Sequence, residues 1–291
     1  MNDYLWDRSG EADEETRELE RLLGAFRSPL PAFRARRPSR VLFLLPLAAM
    51  VLLGIALPAF IAYRAAGWRA GVLAVYRPGD VIRARAPLRI ETPSIGVVDV
   101  GAGTTLRIVD KRRLALDVGT IHARTTSLPG LFIVDTPSTH ATDLGCEYVL
   151  GVTKDGSGSL RVTAGWVELG DGFVQSLVPR GASASFDAAG RLTPPVFDDA
   201  SPAFKEAVRR HDIARVAALA RLRDALTLLN LFSRASEEER LMIYDRLAAL
   251  VPPPPSITRE SMRWWTPRVT DAWWPPVLRA SGVDAIKKKK K

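Results

Sequence analysis

The chain has 291 residues, of which 47% are hydrophobic and 25% charged, so it can bury a sizeable core and is not a disordered protein. Its formal net charge is +9, but the terminal lysines 287–291 supply five of those charges, and the remaining +4 does not favour a nucleic-acid partner. The single cysteine, Cys146, excludes an internal disulfide, and no Cys or His pair has zinc spacing. We therefore expect no metal site and no other cofactor.

An amphipathic helix is predicted within residues 11–26. Leu19, Leu22, Leu23 and Phe26 follow i, i+3, i+4, i+7 spacing, which places them on one apolar stripe. Since an isolated helix of this length is marginal in water, the stripe requires a partner protein, a second copy of the chain or the membrane surface. Acidic residues on the polar face favour a protein partner, and a solvated segment without a partner is the alternative.

The longest apolar run lies at residues 41–63 and contains no charged residue. At about 1.5 Å per residue, such a helix spans a hydrocarbon core about 30 Å thick. Because residues 1–40 precede it and it is too long for a signal peptide, we predict an uncleaved transmembrane helix, with a buried soluble helix as the alternative. Arginines are denser before the run than after it, which predicts a cytoplasmic amino terminus and places the rest of the chain beyond the membrane.

Residues 64–195 are predicted to form an all-β domain. Short runs rich in Val, Ile, Leu and Thr alternate with glycine-containing turn signals, and no helical pattern of about 10–15 residues interrupts them. Parallel βαβ units are therefore not expected. The candidate strands are 88–90, 97–100, 105–109, 114–117, 120–123 and 131–134.

Residues 196–286 change to helical patterning. Ser201 followed by Pro202 predicts a helix start, and Ser236 with Glu239 predicts a capping box at another. A last helix is predicted at about 259–274, and its two tryptophan pairs are expected to pack a small helical core, with an exposed ligand platform as the alternative. The lysines 287–291 are expected to be a solvated tail, with contact to an anionic envelope polymer as the alternative.

One stretch of the β domain brings together residue types used in catalysis: Cys146, His140 and Asp143. In an unbroken strand, alternation would bury Cys146 among apolar residues and turn Asp143 to the opposite face, while His140 would lie about 20 Å away at roughly 3.3 Å per residue. A buried cysteine among leucines is a poor nucleophile. We therefore predict no catalytic residue and no enzyme activity, and we interpret His122 and His211 as ordinary structural or surface residues.

A spaced pattern covers the same stretch and continues beyond it. It reads phenylalanine-x-valine-x-threonine-proline, then leucine-glycine before a hydrophobic strand, then valine-x-x-glycine-x-valine. The positions that carry it are Phe132, Val134, Thr136, Pro137, Leu144, Gly145, Cys146, Val162, Gly165 and Val167. In this pattern the chain resembles the FecR-domain family of transmembrane sigma-factor regulators, with Cys146 at a position where threonine is commoner. The opening at residues 4–13 is similar to that of FecR-like membrane proteins with a short cytoplasmic segment.

The resemblance implies a protein of the bacterial inner membrane with a periplasmic all-β domain, a β-solenoid or β-roll. It implies that this domain receives a signal from an envelope protein and that the cytoplasmic segment 1–40 controls an extracytoplasmic-function sigma factor. The function favoured by the sequence is thus a single-pass, anti-sigma-like regulator. A membrane-anchored envelope scaffold or binding module without sigma-factor control is the alternative, and an envelope thiol hydrolase using an accessible Cys146 is a third.

Overall fold

The computed structural model of the chain describes residues 10–26, 50, 54–58, 60, 67–71, 74–126, 128–170 and 175–283. The chain divides into two compact units, Met1–Ala56 and Leu57–Lys291. The first unit contains the amino-terminal helix, and the second contains a β domain followed by short helices. The lysines 287–291 lie outside the described residues.

Helix α1 spans Glu14–Gly24, where the sequence predicts an amphipathic helix. Asp13 caps it, because its carboxylate accepts a hydrogen bond of 2.9 Å from the backbone N–H of Thr16. Acidic residues occupy the first turn and Arg21 the last turn, as the helix dipole favours. The helix is confirmed, and none of its residues is buried.

The transmembrane helix predicted at residues 41–63 falls mostly outside the described residues. The structure describes residues 50, 54–58 and 60 of this range, and the large apolar side chains among them are exposed. In the described parts of the chain, no helix combines the length and the apolar character needed to cross a membrane. The transmembrane helix stays a prediction.

The β domain of the second unit contains fifteen strands in its described residues. These are β1 Trp68–Ala70, β2 Ala74–Tyr76, β3 Val81–Arg83, β4 Leu88–Thr92, β5 Gly96–Val100, β6 Thr105–Ile108, β7 Arg113–Thr125, β8 Ile133–Asp135, β9 His140–Asp143, β10 Glu147–Val152, β11 Gly158–Ala164, β12 Trp166–Gly170, β13 Gln175–Pro179, β14 Ala182–Phe186 and β15 Val196–Phe197. The all-β prediction is confirmed for this region. The strands predicted at 114–117 and 120–123 are one continuous strand, β7.

Two sheets share the long strand β7. One sheet has the order β2-β1-β4-β5-β7-β10-β11-β14-β15, and the other β3-β6-β7-β8-β9-β12-β13. Residues 119–125 of β7 pair in the first sheet, and residues 113–118 pair in the second. Among the described pairs only β7 with β8 is parallel. The described strands therefore do not form the stacked parallel coils of a β-solenoid, so that alternative is wrong, and the β-roll stays a prediction.

Glycine allows β7 to pass from one sheet to the other. Gly119 has φ 106°, and a Cβ atom there would clash with Thr104 in the corner between β5 and β6. Thr104 fixes this corner, because its Oγ1 accepts from the N–H of Thr120 at 3.0 Å and donates to the carbonyl of Thr120 at 3.2 Å. The sequence pattern suggested a break between two strands here because it could not show that pairing continues through the bend.

In the described residues after the sheets there are five α-helices: α2 Pro202–Arg209, α3 Ile213–Leu219, α4 Ala225–Leu231, α5 Glu237–Leu250 and α6 Trp274–Ala280. Both predicted helix starts are confirmed. Ser201 accepts from the N–H of Phe204 at 3.2 Å, and Ser236 forms a capping box with Glu239. The buried apolar residues of these helices and of the sheets form one continuous core.

The single helix predicted at 259–274 is wrong. The structure has 3₁₀ segments at Glu260–Met262 and Pro267–Trp273, and α6 begins only at Trp274, because prolines at 267, 275 and 276 fit only near a helix start. Trp273 is fully buried and donates from its indole nitrogen to the carbonyl of Val251 at 3.1 Å. Trp264 is 82% exposed, so the tryptophans do not share one role.

Candidate functional site

The apolar stripe of α1 is the first candidate site, because nothing in the described residues covers it. Leu19, Leu22, Leu23 and Phe26 are exposed by 58%, 61%, 58% and 84%. Phe26 follows the helix, and its N–H donates a hydrogen bond of 3.0 Å to the carbonyl of Leu23, which keeps Phe26 close to the rest of the stripe. Four large apolar side chains at this spacing form a surface suited to an apolar groove.

Charged residues surround this stripe in a regular way. At about 100° per residue, Glu18 and Glu20 flank it on its two sides, while Arg17 and Arg21 lie on the opposite face of the helix. Arg21 is 3.7 Å from Glu18, and both side chains are exposed, so this pair adds little to helix stability. The surface is an apolar strip edged by carboxylates.

The second candidate site is the set of motif residues in the β domain. Phe132 and Val134 are fully buried and place β8 against the core. Thr136 and Thr139 close the turn into β9: the hydroxyl and the N–H of Thr136 each donate to the carbonyl of Thr139 at 2.7 Å. Pro137 lies within this turn, where its fixed φ suits the chain reversal. The threonine-proline part of the motif builds a tight turn.

The glycines of the motif lie against each other at a second corner of the sheets. Gly145 connects β9 to β10 with φ 90°, and Gly165 connects β11 to β12 with φ 71°. A Cβ atom on Gly165 would lie far inside van der Waals contact of the carbonyl oxygen of Gly145. The two glycines therefore allow the backbones of the two connections to lie directly against each other. Beside them, the N–H of Leu144 donates to the carbonyl of Trp166 at 3.1 Å.

This corner corrects the prediction that Asp143 and Cys146 face opposite ways. Alternation applies only to an unbroken strand, and the positive φ of Gly145 ends β9 before β10 begins. The thiol of Cys146 consequently donates a hydrogen bond to the carboxylate of Asp143. Thr125 completes the cluster, because its hydroxyl donates to the other carboxylate oxygen at 2.7 Å and accepts from the N–H of Cys146 at 3.2 Å.

The electrostatics of this cluster oppose nucleophilic chemistry. Burial raises the pKa of the Cys146 thiol well above its ordinary value, and the neighbouring Asp143 carboxylate raises it further. Burial also raises the pKa of Asp143, and burial raises the pKa of Tyr148 well above its usual range. A thiol that stays protonated is a poor nucleophile and a poor metal ligand. In the described residues no hydrogen bond joins His140 to Cys146.

The remaining histidines lie elsewhere. His122 on β7 contacts Glu147 on β10 at 2.8 Å between ring nitrogen and carboxylate, and both side chains are about one third exposed. His211 follows α2 and lies 3.6 Å from Glu239. Within the described parts of the chain, no group of three or more potential ligands could hold a metal ion.

Two crystal structures are partly similar to this chain. One, of a proposed anti-sigma factor from Parabacteroides distasonis ATCC 8503 at 2.50 Å resolution, has a TM-score of 0.35 and 18% identity over 47% of this chain and 73% of that one. A second, also of a proposed anti-sigma factor from that organism and at 1.65 Å, has a TM-score of 0.31 and 19% identity over 42% and 58%. At such scores the likeness decides neither function nor partner. No protein-family model and no curated protein matches the chain.

Sequence reasoning missed Thr125, although this residue holds the motif corner together. It lies 18 residues before Asp143 and 21 before Cys146, at the far end of β7. No local pattern marks a threonine at a strand end as a long-range hydrogen-bond partner. Only the pairing of β7 with β10, which places residues 119–124 beside 147–152, brings it there.

Proposed function

We propose that this chain is a non-enzymatic, single-pass membrane regulator of the anti-sigma type. Helix α1 holds a cytoplasmic partner, with an extracytoplasmic-function sigma factor as the first candidate, and the β domain on the periplasmic side contacts an envelope protein. The observation that carries this proposal is the exposed stripe of α1, in which four large apolar side chains are 58–84% exposed.

The exposure and the spacing of the stripe support a protein partner. Apolar anchors at i, i+3, i+4 and i+7 are the arrangement by which an amphipathic helix enters a groove of another protein. Such a helix gains most of its stability from packing rather than from its own propensity, so α1 needs a partner to be well populated.

The charges support a partner of particular chemistry. Glu18 and Glu20 edge the stripe on both sides, so the groove that fits it has an apolar floor and basic residues along its rim. The same carboxylates oppose binding to an anionic lipid surface. The apolar run at residues 41–63 and the exposed apolar residues within 54–58 support the anchoring part of the proposal.

The test is co-purification of the full chain, in detergent, with each sigma factor of the cell. We expect one sigma factor to be retained by the wild type and lost with Leu22→Gln. Arg21→Gln is the matched control, because it places the same side chain at the neighbouring position on the opposite face, and it should retain the sigma factor. Retention by both variants, or by neither the wild type nor the control, contradicts the proposal.

A second measurement separates regulation from anchoring alone. In a strain lacking residues 1–26, a regulator loses control over the genes of its sigma factor, while a pure envelope scaffold keeps its full effect. An unchanged transcript profile together with a preserved envelope phenotype would favour the scaffold alternative.

A further inference from the structure

A groove of about 1070 Å³ opens on the second unit where the turn after β14 meets the end of α2 and Arg234. Its base is apolar and includes Phe186, Leu192 and Val208, each of which is at most 8% exposed. A groove of this volume is too large for a single small ion and fits a ligand of a few amino-acid residues.

Arg234 at this groove is a largely buried cation that is bound only to neutral acceptors. Its Nε donates to the carbonyl of Leu192 at 3.1 Å, its Nη1 to that of Asn230 at 2.7 Å, and its Nη2 to the hydroxyl of Ser176 at 2.7 Å and the carbonyl of Gln175 at 3.2 Å. Among the described residues no carboxylate forms an ion pair with it. Burial lowers the pKa of Arg234 to about 10, so the side chain stays charged at neutral pH.

A largely buried charge normally has a counter-charge nearby, because taking an ion out of water is unfavourable unless an opposite charge compensates for it. Neutral carbonyls satisfy the geometry of the guanidinium but do not balance its charge. Since Arg234 lines an open groove, an anionic ligand in that groove can balance the charge of its guanidinium.

The rim of the groove is also basic. Arg191 pairs with Asp187 at 2.6 Å, and Arg209 and Arg210 share the single carboxylate of Glu206. Arg209 uses both Nε and Nη2 for this carboxylate, which is the bidentate geometry in which arginine binds carboxylates best. Together with Arg234, the four arginines outnumber the carboxylates of Asp187 and Glu206. Glu239, which lies beside His211, lowers the net positive charge but does not neutralise it.

We propose that the groove binds an acidic, extended peptide segment of a partner protein, with carboxylates at the arginines and apolar side chains on the base. The arginine rim already engages carboxylates of this chain, and the apolar base would gain nothing from a phosphate. This site lies within the second unit and does not rest on the binding of a partner by α1.

Fluorescence anisotropy with the full chain in detergent tests the proposal, using a labelled hexapeptide of alternating glutamate and leucine as the probe. We expect saturable binding that weakens about tenfold in the double variant Arg191→Gln, Arg210→Gln and also weakens in high salt. Arg259→Gln is the matched control, because Arg259 pairs with Asp245 outside the groove, and it should bind like the wild type. A hexapeptide of lysine and leucine should not bind.

Several results would overturn the proposal: no binding of the acidic peptide, equal binding by the double variant, or displacement by inorganic phosphate at equal charge. Arg234→Met tests the buried cation, and the rim variant still decides if Arg234→Met does not fold. Asp171, outside the described residues, supplies a last check. If Asp171→Asn and Arg234→Met destabilise the chain equally and without further loss in combination, the counter-charge belongs to this chain, and the ligand is not needed.

Discussion

Helices α1 and α2 resemble each other in sequence pattern and differ in what covers them. Each begins at a side-chain cap, Asp13 or Ser201, and each concentrates its apolar residues on one face. In α2 that face is buried, with Phe204 only 1% exposed, whereas α1 has no buried residue. The difference shows that an amphipathic pattern predicts a surface that needs a cover but does not say whether the same chain provides it.

The largest expected effect separates the two helices. Phe204→Ala should lower the free energy of unfolding by about 3–5 kcal/mol, because it leaves a cavity under α2. Leu22→Ala should change it by less than about 0.5 kcal/mol, because the Leu22 side chain is 61% exposed. Urea unfolding of the detergent-solubilised chain, followed by tryptophan fluorescence, measures both. A loss of several kcal/mol in Leu22→Ala would mean that the chain itself covers the stripe of α1.

The corner of Gly145 and Gly165 offers a second comparison, between a closely packed site and an open site of the second unit. Gly165→Ala should destabilise the chain by about 2–3 kcal/mol, because the new Cβ atom meets a carbonyl oxygen in addition to the unfavourable φ. Gly103→Ala is the control: its φ is 77° but its surroundings are open, so only the backbone cost of about 1–2 kcal/mol applies. Equal losses in the two variants would show that close packing at the motif corner contributes nothing.

How much the sequence could predict depends on the range of each interaction. The caps at Ser201 and Ser236 are set within three residues, and both were predicted correctly. The sequence did not predict the contact of Asp143 with Cys146, because side-chain alternation assumes an unbroken strand. The presence of Gly145 in the sequence does not by itself show that its φ is positive. The hydrogen bonds of Arg234 beside the groove join parts of the chain up to 59 residues apart, so no local pattern could show them.

The buried cluster at Cys146 gives the next effect. Cys146→Val removes the donor to the buried carboxylate of Asp143 and should cost about 1–3 kcal/mol in free energy of unfolding. Cys146→Thr, which restores the commoner residue of the FecR-like pattern, keeps a donor and should cost less than about 1.5 kcal/mol. Urea unfolding compares the two variants with the wild type, and a more stable Cys146→Val would show that the thiol does not support the carboxylate.

Acidification tests the charge state of this cluster. Since burial raises the pKa of Asp143 above its unfolded value, protonation favours the folded state, and this contribution is lost as pH rises through the folded pKa. The wild type should therefore gain stability relative to Asp143→Asn as pH falls from about 7 towards 4. Urea unfolding of both proteins at several pH values gives the difference. If the wild type instead loses stability relative to Asp143→Asn on acidification, the hydrogen bonds from Thr125 and its neighbours hold the carboxylate as an anion.

The smallest expected effect concerns the way α1 and α2 end. After α1 the chain keeps a helical φ of −67° at Ala25, whereas after α2 His211 adopts φ 57° and closes a Schellman motif through hydrogen bonds to Val208 and from Asp212 to Ala207. Glycine suits this backbone better, and an exposed pair such as that of His211 with Glu239 contributes little, so His211→Gly should raise the free energy of unfolding by about 0.5 kcal/mol. The same urea titration measures it, with His211→Ala as the control that removes the imidazole and keeps the strain. If His211→Gly destabilises the chain, the imidazole contributes more to the end of α2 than its backbone strain costs.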